Sequence, residues 1–232
     1  MKIALVTGAS RGIGHATALE LVKNGYRVVV TARSFPASSD FGGIGPDQIW
    51  PIEADVTDEA AMKRVFDLVL EKWGPIHTLI NNAGRVVPAP IEKLSVSEFD
   101  QTWAVNVRGA FICSKLLFAH ARQSGKGGCI VNLSSLSGIR GTEKFEGFSA
   151  YVAAKHAVVG LTESLAVEGK KLGIRTNCVA PGAVDTEMLR KAVPFLKTQT
   201  RPEDIAPIIV GLCDETRSRA LNGAIIEVNS NA

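Results

Sequence analysis

Tyr151 and Lys155, in the run Tyr-Val-Ala-Ala-Lys, are the residues of this sequence best suited to acid–base chemistry. On a helix, residues i and i+4 share a face. An ammonium held beside a phenol stabilises the phenolate and lowers its pKa from about 10, so the tyrosine becomes usable as a general acid or base nearer neutral pH. The chain has two tyrosines, and Tyr26 is followed at the same spacing by Val30. The spacing alone arises in many helices, so the pair takes its meaning from its surroundings.

A second constellation is the turn Gly8-Ala-Ser10-Arg11-Gly12-Ile13-Gly14, directly after the apolar run Ile3 to Thr7. Glycines permit a tight turn and close backbone approach to a phosphate, and a helix N-terminus offers free N–H groups and the positive end of a dipole. The spacing is GxxxGxG and not GxGxxG, which leaves a structural turn as the alternative. The next strand-like run ends Thr31-Ala32-Arg33. An NAD site usually places an acid there for the ribose 2′-OH. Here Arg33, with Arg11 nearby, can instead pair with a 2′-phosphate. A charge-assisted hydrogen bond contributes about 1.5–3 kcal/mol, or roughly 10- to 150-fold in affinity. The expected cofactor is NADP(H).

Positioning these groups requires alternating strands and helices. Strands are predicted at Ile3–Thr7, Val28–Thr31, Ile49–Ala54, Ile76–Asn81, Cys129–Leu133, Ile174–Val179 and Ile225–Val228, several of them unbroken apolar runs of the kind buried on both faces. Helices are predicted over about 12–24, from a Thr57 cap to about Trp73, from a Ser95–Glu98 capping box to about Gln123, and over about 149–172. Thr200 to Glu203 reads as a further capping box, with Pro207 delaying the helix start. The alternation predicts an α/β fold, a single Rossmann-type doubly wound parallel sheet with helices on both faces. One domain over 1–232 is expected, its dinucleotide-binding part about 1–130 and its catalytic and substrate part about 131–232. Ser34 to Pro46 reads as a loop.

Composition narrows the function classes. The 232 residues suit one large domain, and the net charge of +3 comes from scattered basic residues, unlike a nucleic-acid binder's patch. Cys113, Cys129, Cys178 and Cys213 lack metal or redox spacing, and the histidines are equally dispersed, so no metal site is expected. The amino-terminal apolar run is too short for a leader, and no segment approaches the ~20 residues of a membrane span. These features predict a soluble, cytoplasmic protein without nucleic-acid or membrane partners.

The glycine turn, Asp55-Val56, Asn81-Asn82-Ala83-Gly84, Val105-Asn106-Val107, Ser134-Ser135 ahead of Gly138, Tyr151xxxLys155 and Pro181-Gly182 occur in the order of the short-chain dehydrogenase/reductase family. The sequence resembles that family from about Lys2 to Val228, and within it bacterial 3-oxoacyl-acyl-carrier-protein reductases and related carbonyl reductases. The resemblance implies a catalytic set of Asn106, Ser135, Tyr151 and Lys155. In it Tyr151 exchanges a proton with the substrate oxygen, and Ser135 polarises that oxygen. Lys155 holds the nicotinamide ribose and depresses the Tyr151 pKa, and Asn106 positions a relay water. The family's serine stands three residues before the glycine, which selects Ser135 over Ser134. Cofactor contacts are implied for the turn residues Gly8, Ser10, Arg11, Gly12, Ile13 and Gly14. Asp55 and Val56 are implied at the adenine, Asn82, Ala83 and Gly84 along the adenosine, and Pro181, Gly182, Val184 and Thr186 near the nicotinamide.

The resemblance also implies a carbonyl or alcohol substrate and a homotetramer or homodimer built on the helices around Val96–Gln123 and Ser149–Leu172. A reductase acting on acyl carrier protein would need a basic dock, for which Arg108, Arg122, Lys126, Lys170 and Lys171 are candidates. A catalytically silent NADP(H) sensor is the reading from another class. The segment from Ser135 to Tyr151 is slightly longer than in the reductase subgroup, with the extra residues near Gly141 to Phe148. The carboxyl end, Glu227 to Ala232, departs from the family's Val-Asp-Gly-Gly pattern. Apolar residues between Glu187 and Thr198, including Met188, Val193 and Phe195, suit an apolar or amphipathic substrate, or equally an ordinary amphipathic helix packed on the domain.

Overall fold

The computed structural model describes residues 1–36 and 40–229; the middle of the predicted 34–46 loop and the last part of the divergent carboxyl end lie outside the described residues. Within it, β1 (Ile3–Thr7) is buried at every position, and alternate side chains enter opposite cores. Ala4 and Val6 join one apolar cluster, Ile3 and Leu5 the other. This is the period-two pattern of a strand covered on both faces. β2 (Arg27–Ala32) repeats it, with Val28 and Val30 on the first side and Val29 on the second.

Five further strands complete the sheet: β3 (Ile49–Glu53), β4 (Thr78–Asn81), β5 (Gly128–Leu133), β6 (Ile174–Pro181) and β7 (Ile225–Val228). All pairings are parallel, in the order β3-β2-β1-β4-β5-β6-β7. Helices α1 (Gly12–Lys23) and α7 (Pro202–Cys213) cover one face, where Leu21, Ile205 and Ile209 are fully buried. On the other face α2 (Glu59–Lys72) contributes Phe66 and α4 (Gly109–Ser124) contributes Leu117. α5 (Ser149–Glu168) lies on that same side, where Thr162 accepts from Asn132 of β5 at 2.9 Å. The chain reverses direction across the sheet between β1 and β4. A crevice at the carboxyl ends of those strands follows from the topology.

Several boundaries differ from the sequence expectation. α2 is capped by Asp58, whose Oδ1 accepts from the Ala61 N–H at 3.0 Å, because Thr57 is drawn back to Asp55: its N–H and hydroxyl both donate to Asp55 Oδ1 at 2.8 Å. The capping box of α3 (Val96–Trp103) forms as expected from Ser95 and Glu98. The helix beyond it is not continuous: a π-helical turn over Ala104–Arg108 separates α3 from α4. α7 starts at Pro202, with Asp204 accepting from the Arg201 N–H at 2.7 Å, so Thr200 is not its cap. Pro207 stays inside this helix on its exposed side, where water can satisfy the carbonyl it leaves unpaired. A short α6 (Glu187–Ala192), capped by Thr186, occupies the first part of the stretch read either as substrate contact or as an amphipathic helix, and none of its residues is buried.

Candidate active site

The crevice is a cavity of about 790 Å³ at the carboxyl ends of the strands, a size suited to a small-molecule cofactor. Its floor is the turn between β1 and α1. Gly8 and Gly12 adopt φ of +65° and +62°, which an L side chain rarely takes. Gly8 and Gly14 also have a packing task. A Cβ on Gly14 would lie 2.3 Å from Asn82 Nδ2, and one on Gly8 would lie 2.7 Å from Ala83 Cα. These glycines let the turn seat on the end of β4. Asn82 fixes that contact by donating to the carbonyls of Thr7 and Gly8 at 2.9 and 3.0 Å, while the Thr7 hydroxyl accepts from the Asn82 and Ala83 N–H groups at 3.1 Å. The start of α1 carries no acid in its first turn. Its positive end therefore faces the crevice unopposed on its own helix, and an anionic dinucleotide fits there.

Of the expected cofactor residues, Gly8, Ser10, Arg11, Gly12, Ile13, Arg33, Asp55, Val56, Asn82, Ala83, Gly84, Tyr151, Lys155, Pro181 and Thr186 line the cavity. Gly14 stands behind the turn. The Gly182 N–H is engaged in the sheet, donating to Val228 O at 2.9 Å, and the Val184 side chain is buried in the first apolar cluster. Arg33 is exposed beside the crevice, just past the end of β2. Arg11 reaches the other way and pairs with Glu187 of α6 at 2.9 Å. Asp55 holds its own turn through Thr57, as described.

Ser134 and Ser135 separate clearly. Ser134 is buried and donates to Lys155 O at 2.9 Å, and Gly138 packs so closely that a Cβ would come within 2.5 Å of the Ser134 hydroxyl. Ser135 instead lies close enough to the Tyr151 phenol to lower its pKa, and its hydroxyl accepts from the Ser137 N–H at 3.1 Å. Lys155 is 4% exposed and donates to Leu133 O at 2.7 Å. Its ammonium stands 5.5 Å from the centre of the Tyr151 ring. The π-helical turn presents Asn106 inward, where its amide donates to Thr102 O and Arg85 O at 2.8 and 2.7 Å and accepts from the Arg85 N–H at 3.3 Å. Asn106 is thereby tied into the backbone on both sides of the crevice wall. Gly84 bridges the two groups: a Cβ there would lie 3.2 Å from Asn106 Oδ1 and 3.8 Å from Lys155 Nζ.

The acid–base balance of this cluster differs from the sequence expectation. Burial pushes the Tyr151 phenol up to about 12, opposed by the Ser135 hydrogen bond. Burial also pushes Lys155 down to about 8. Each group is disfavoured in its charged form by desolvation, the largest cause of both shifts.

The sequence reading did not single out Arg85, Asp185, Arg190, Lys191, Arg201 and Glu203, which also line the cavity. Arg85 directly follows the Asn-Asn-Ala-Gly run, the one signal that pointed to it. The proposed carrier dock does not assemble at the crevice. Arg122 ends α4 and Lys126 precedes β5, while Lys170 and Lys171 precede β6, so all four stand at the amino ends of the strands, opposite the site. Arg108 alone of the five lies near the crevice end of α4. All four cysteines are buried free thiols. Among the described residues no acid, histidine and cysteine cluster suits a metal, and no helix is long and apolar enough to cross a membrane.

Residues 2–196 match the model of the short chain dehydrogenase family. The chain is 36% identical to an NADPH-dependent aldehyde reductase-like chloroplastic protein of Arabidopsis thaliana over 98% of its length and 93% of that protein's. It is 33% identical to the 3-oxoacyl-acyl-carrier-protein reductase MabA of Mycobacterium bovis, covering 97% of this chain and 90% of MabA. It is 36% identical to levodione reductase of Leifsonia aquatica, covering 84% and 74%. The chain belongs to the short-chain dehydrogenase/reductase family, oxidoreductases that act on carbonyl and alcohol groups with a nicotinamide cofactor.

Proposed function

We propose that this protein is an NADP(H)-dependent oxidoreductase that reduces a carbonyl, or oxidises the corresponding alcohol, with Tyr151 as the general acid/base. The observation that carries the reading is Tyr151 with buried Lys155 beside its ring, both lining a glycine-floored crevice, and Ser135 next to the phenol. When bound, the nicotinamide supplies or accepts the hydride. Tyr151 delivers its proton to the carbonyl oxygen, and Ser135 donates a hydrogen bond to the same oxygen as negative charge develops. Lys155 would hold the nicotinamide ribose hydroxyls, and Asn106 would sustain the crevice wall and position the water of a proton route to solvent. A phenol held high in pKa is protonated at physiological pH, which suits reduction better than oxidation. The dinucleotide part over about 1–130 and the catalytic part over about 131–232 would together form one functional domain.

Arg33 supports the choice of NADP(H), as does the similarity to a relative whose name includes NADPH dependence. Arg33→Asp exchanges an attraction for a repulsion at the 2′-phosphate. NADPH affinity, followed by its fluorescence, should fall by about 10- to 150-fold, with NADH affinity changed little. Equal loss for both cofactors, or none, would remove Arg33 from 2′-phosphate recognition.

Lys155 gives a pH signature. Its charged form predominates below about 8 and is lost as pH rises through that value. NADPH affinity should therefore weaken between about pH 7 and 9, and this limb should vanish in Lys155→Met. A limb that persists in the variant would assign it to another group.

The similarity to MabA keeps 3-oxoacyl-acyl-carrier-protein reduction as the second reading. The wide separation of the candidate basic dock from the crevice weighs against it. A silent NADP(H) sensor would bind cofactor and turn over no carbonyl. A cytoplasmic location is supported by the four free thiols. Half-exposed Phe111 on α4, the stacked Phe99 and Trp103 on α3, and Val167 on α5 support a homotetramer or homodimer built on these helices. Light scattering should give a mass near four chains, and a clean monomer would refute the assembly.

A further inference from the structure

We propose that a second cavity, of about 340 Å³, receives the substituent of the substrate and selects neutral aryl carbonyls over anionic ones. This rests on reading the main crevice as a reductase site. The two cavities share Pro88 and Ala192 as lining, so the second opens beside the reacting groups. An aromatic series leads from it to the phenol: Phe145 meets Phe148 at 5.7 Å, and Phe148 meets Tyr151 edge-on at 5.9 Å and 83°. A ring entering here would join that series in the offset and edge-to-face contacts aromatic groups favour.

Three segments build the walls. The chain after β4 and the stretch ahead of α5 are joined by the Ala89 N–H donating to Gly147 O at 3.0 Å. Gly147 takes φ +78°, and a Cβ there would press to 3.2 Å against Ala89 N, so this closure needs a glycine. The third wall follows α6, anchored by Val193 at 2% exposure. It carries Phe195 at 80% exposure, a large apolar surface facing water at the mouth. An apolar substituent would cover it, and burying that area is the driving force the proposal invokes.

Among the lining residues Glu146 is the sole ionisable one. An anionic substituent would leave water for an apolar wall, meet a carboxylate and find no cation. The cavity's position is consistent with the extra residues between Gly141 and Phe148, which supply Phe145 to Phe148.

The test pairs turnover with binding. With NADPH, kcat/KM for benzaldehyde should exceed that for both acetaldehyde and 4-carboxybenzaldehyde by tenfold or more. Phe145→Ala should cut the benzaldehyde-to-acetaldehyde ratio about tenfold. The exposed change Glu146→Lys should narrow the gap between benzaldehyde and its carboxylate. Independently, ligand-observed NMR on NADP⁺-saturated protein should detect benzamide, which is not reduced, more strongly than benzoate, and the signal should fall in Phe145→Ala. Acetaldehyde and benzaldehyde reduced equally, or benzamide bound equally by both proteins, would overturn the subsite while leaving the reductase reading intact. Benzamide binding lost in Phe145→Ala, with no carbonyl reduced, would uphold the subsite and overturn the reductase reading.

Discussion

Tyr151→Phe is expected to lower carbonyl turnover by at least about 10²- to 10⁴-fold, the range associated with loss of a positioned general acid. The fold should survive. The substitution removes one hydroxyl, and it keeps the ring that meets Phe148 edge-on. NADPH affinity should change little, because the glycine turn, Arg33 and Lys155 remain. The discriminating pattern is cofactor binding without chemistry, read by NADPH fluorescence beside steady-state absorbance. Retained turnover would remove Tyr151 from the mechanism. Loss of binding in parallel would instead show that the ring, not its proton, was required.

Gly14→Ala is expected to disable the dinucleotide site from behind. Gly14 lies within α1, where a glycine-to-alanine change in open surroundings would gain up to about 1 kcal/mol from helix propensity. Here the added methyl would stand 2.3 Å from Asn82 Nδ2 and 2.9 Å from Gly8 O. Asn82 cannot yield cheaply, since its amide donates to both Thr7 O and Gly8 O. Overpacking of this kind costs about 1–3 kcal/mol, which outweighs the propensity gain. The melting temperature should fall by several degrees. NADPH affinity should fall further than stability alone accounts for, because the turn that presents the α1 amino end must shift. Unchanged stability and affinity would mean that the contact between the turn and β4 is not the one described.

How much of this was legible in the sequence depends on what each feature rests upon. β1 matches its predicted span because an unbroken apolar run ahead of a glycine turn announces a strand buried on both faces, and β7 matches its span although Glu227 interrupts it and none of its residues is buried. Ser95 and Glu98 announced their capping box because its chemistry is local. The π-helical turn at Asn106 was hidden, since the residues on either side continue one helical pattern. α6 was legible only as one of two readings of its stretch, because none of its residues is buried and no buried apolar stripe decides for a helix.

At the site, residue types were legible and partners were not. The sequence marked Arg11 as a cation near the dinucleotide, but its pairing with Glu187 joins the turn to a distant helix that only the fold brings near. Asn82 was marked for the cofactor or for structural amide hydrogen bonds; it lines the crevice and its side chain also locks the glycine turn. Spacing placed Lys155 beside Tyr151 correctly. The direction of the phenol's shift was set by burial, which spacing does not report. The second cavity needed three segments to converge, so Phe145, Val193 and Phe195 became neighbours of one space only in the folded chain.

The most direct test of the central claim is to follow oxidation of NADPH and of NADH by absorbance against aldehydes, ketones, diketones and acetoacetyl thioesters. The account predicts turnover with NADPH well above NADH, and faster with free carbonyl compounds than with the thioester. Tight NADPH binding with no carbonyl reduced would contradict it and leave a cofactor-binding protein without this chemistry.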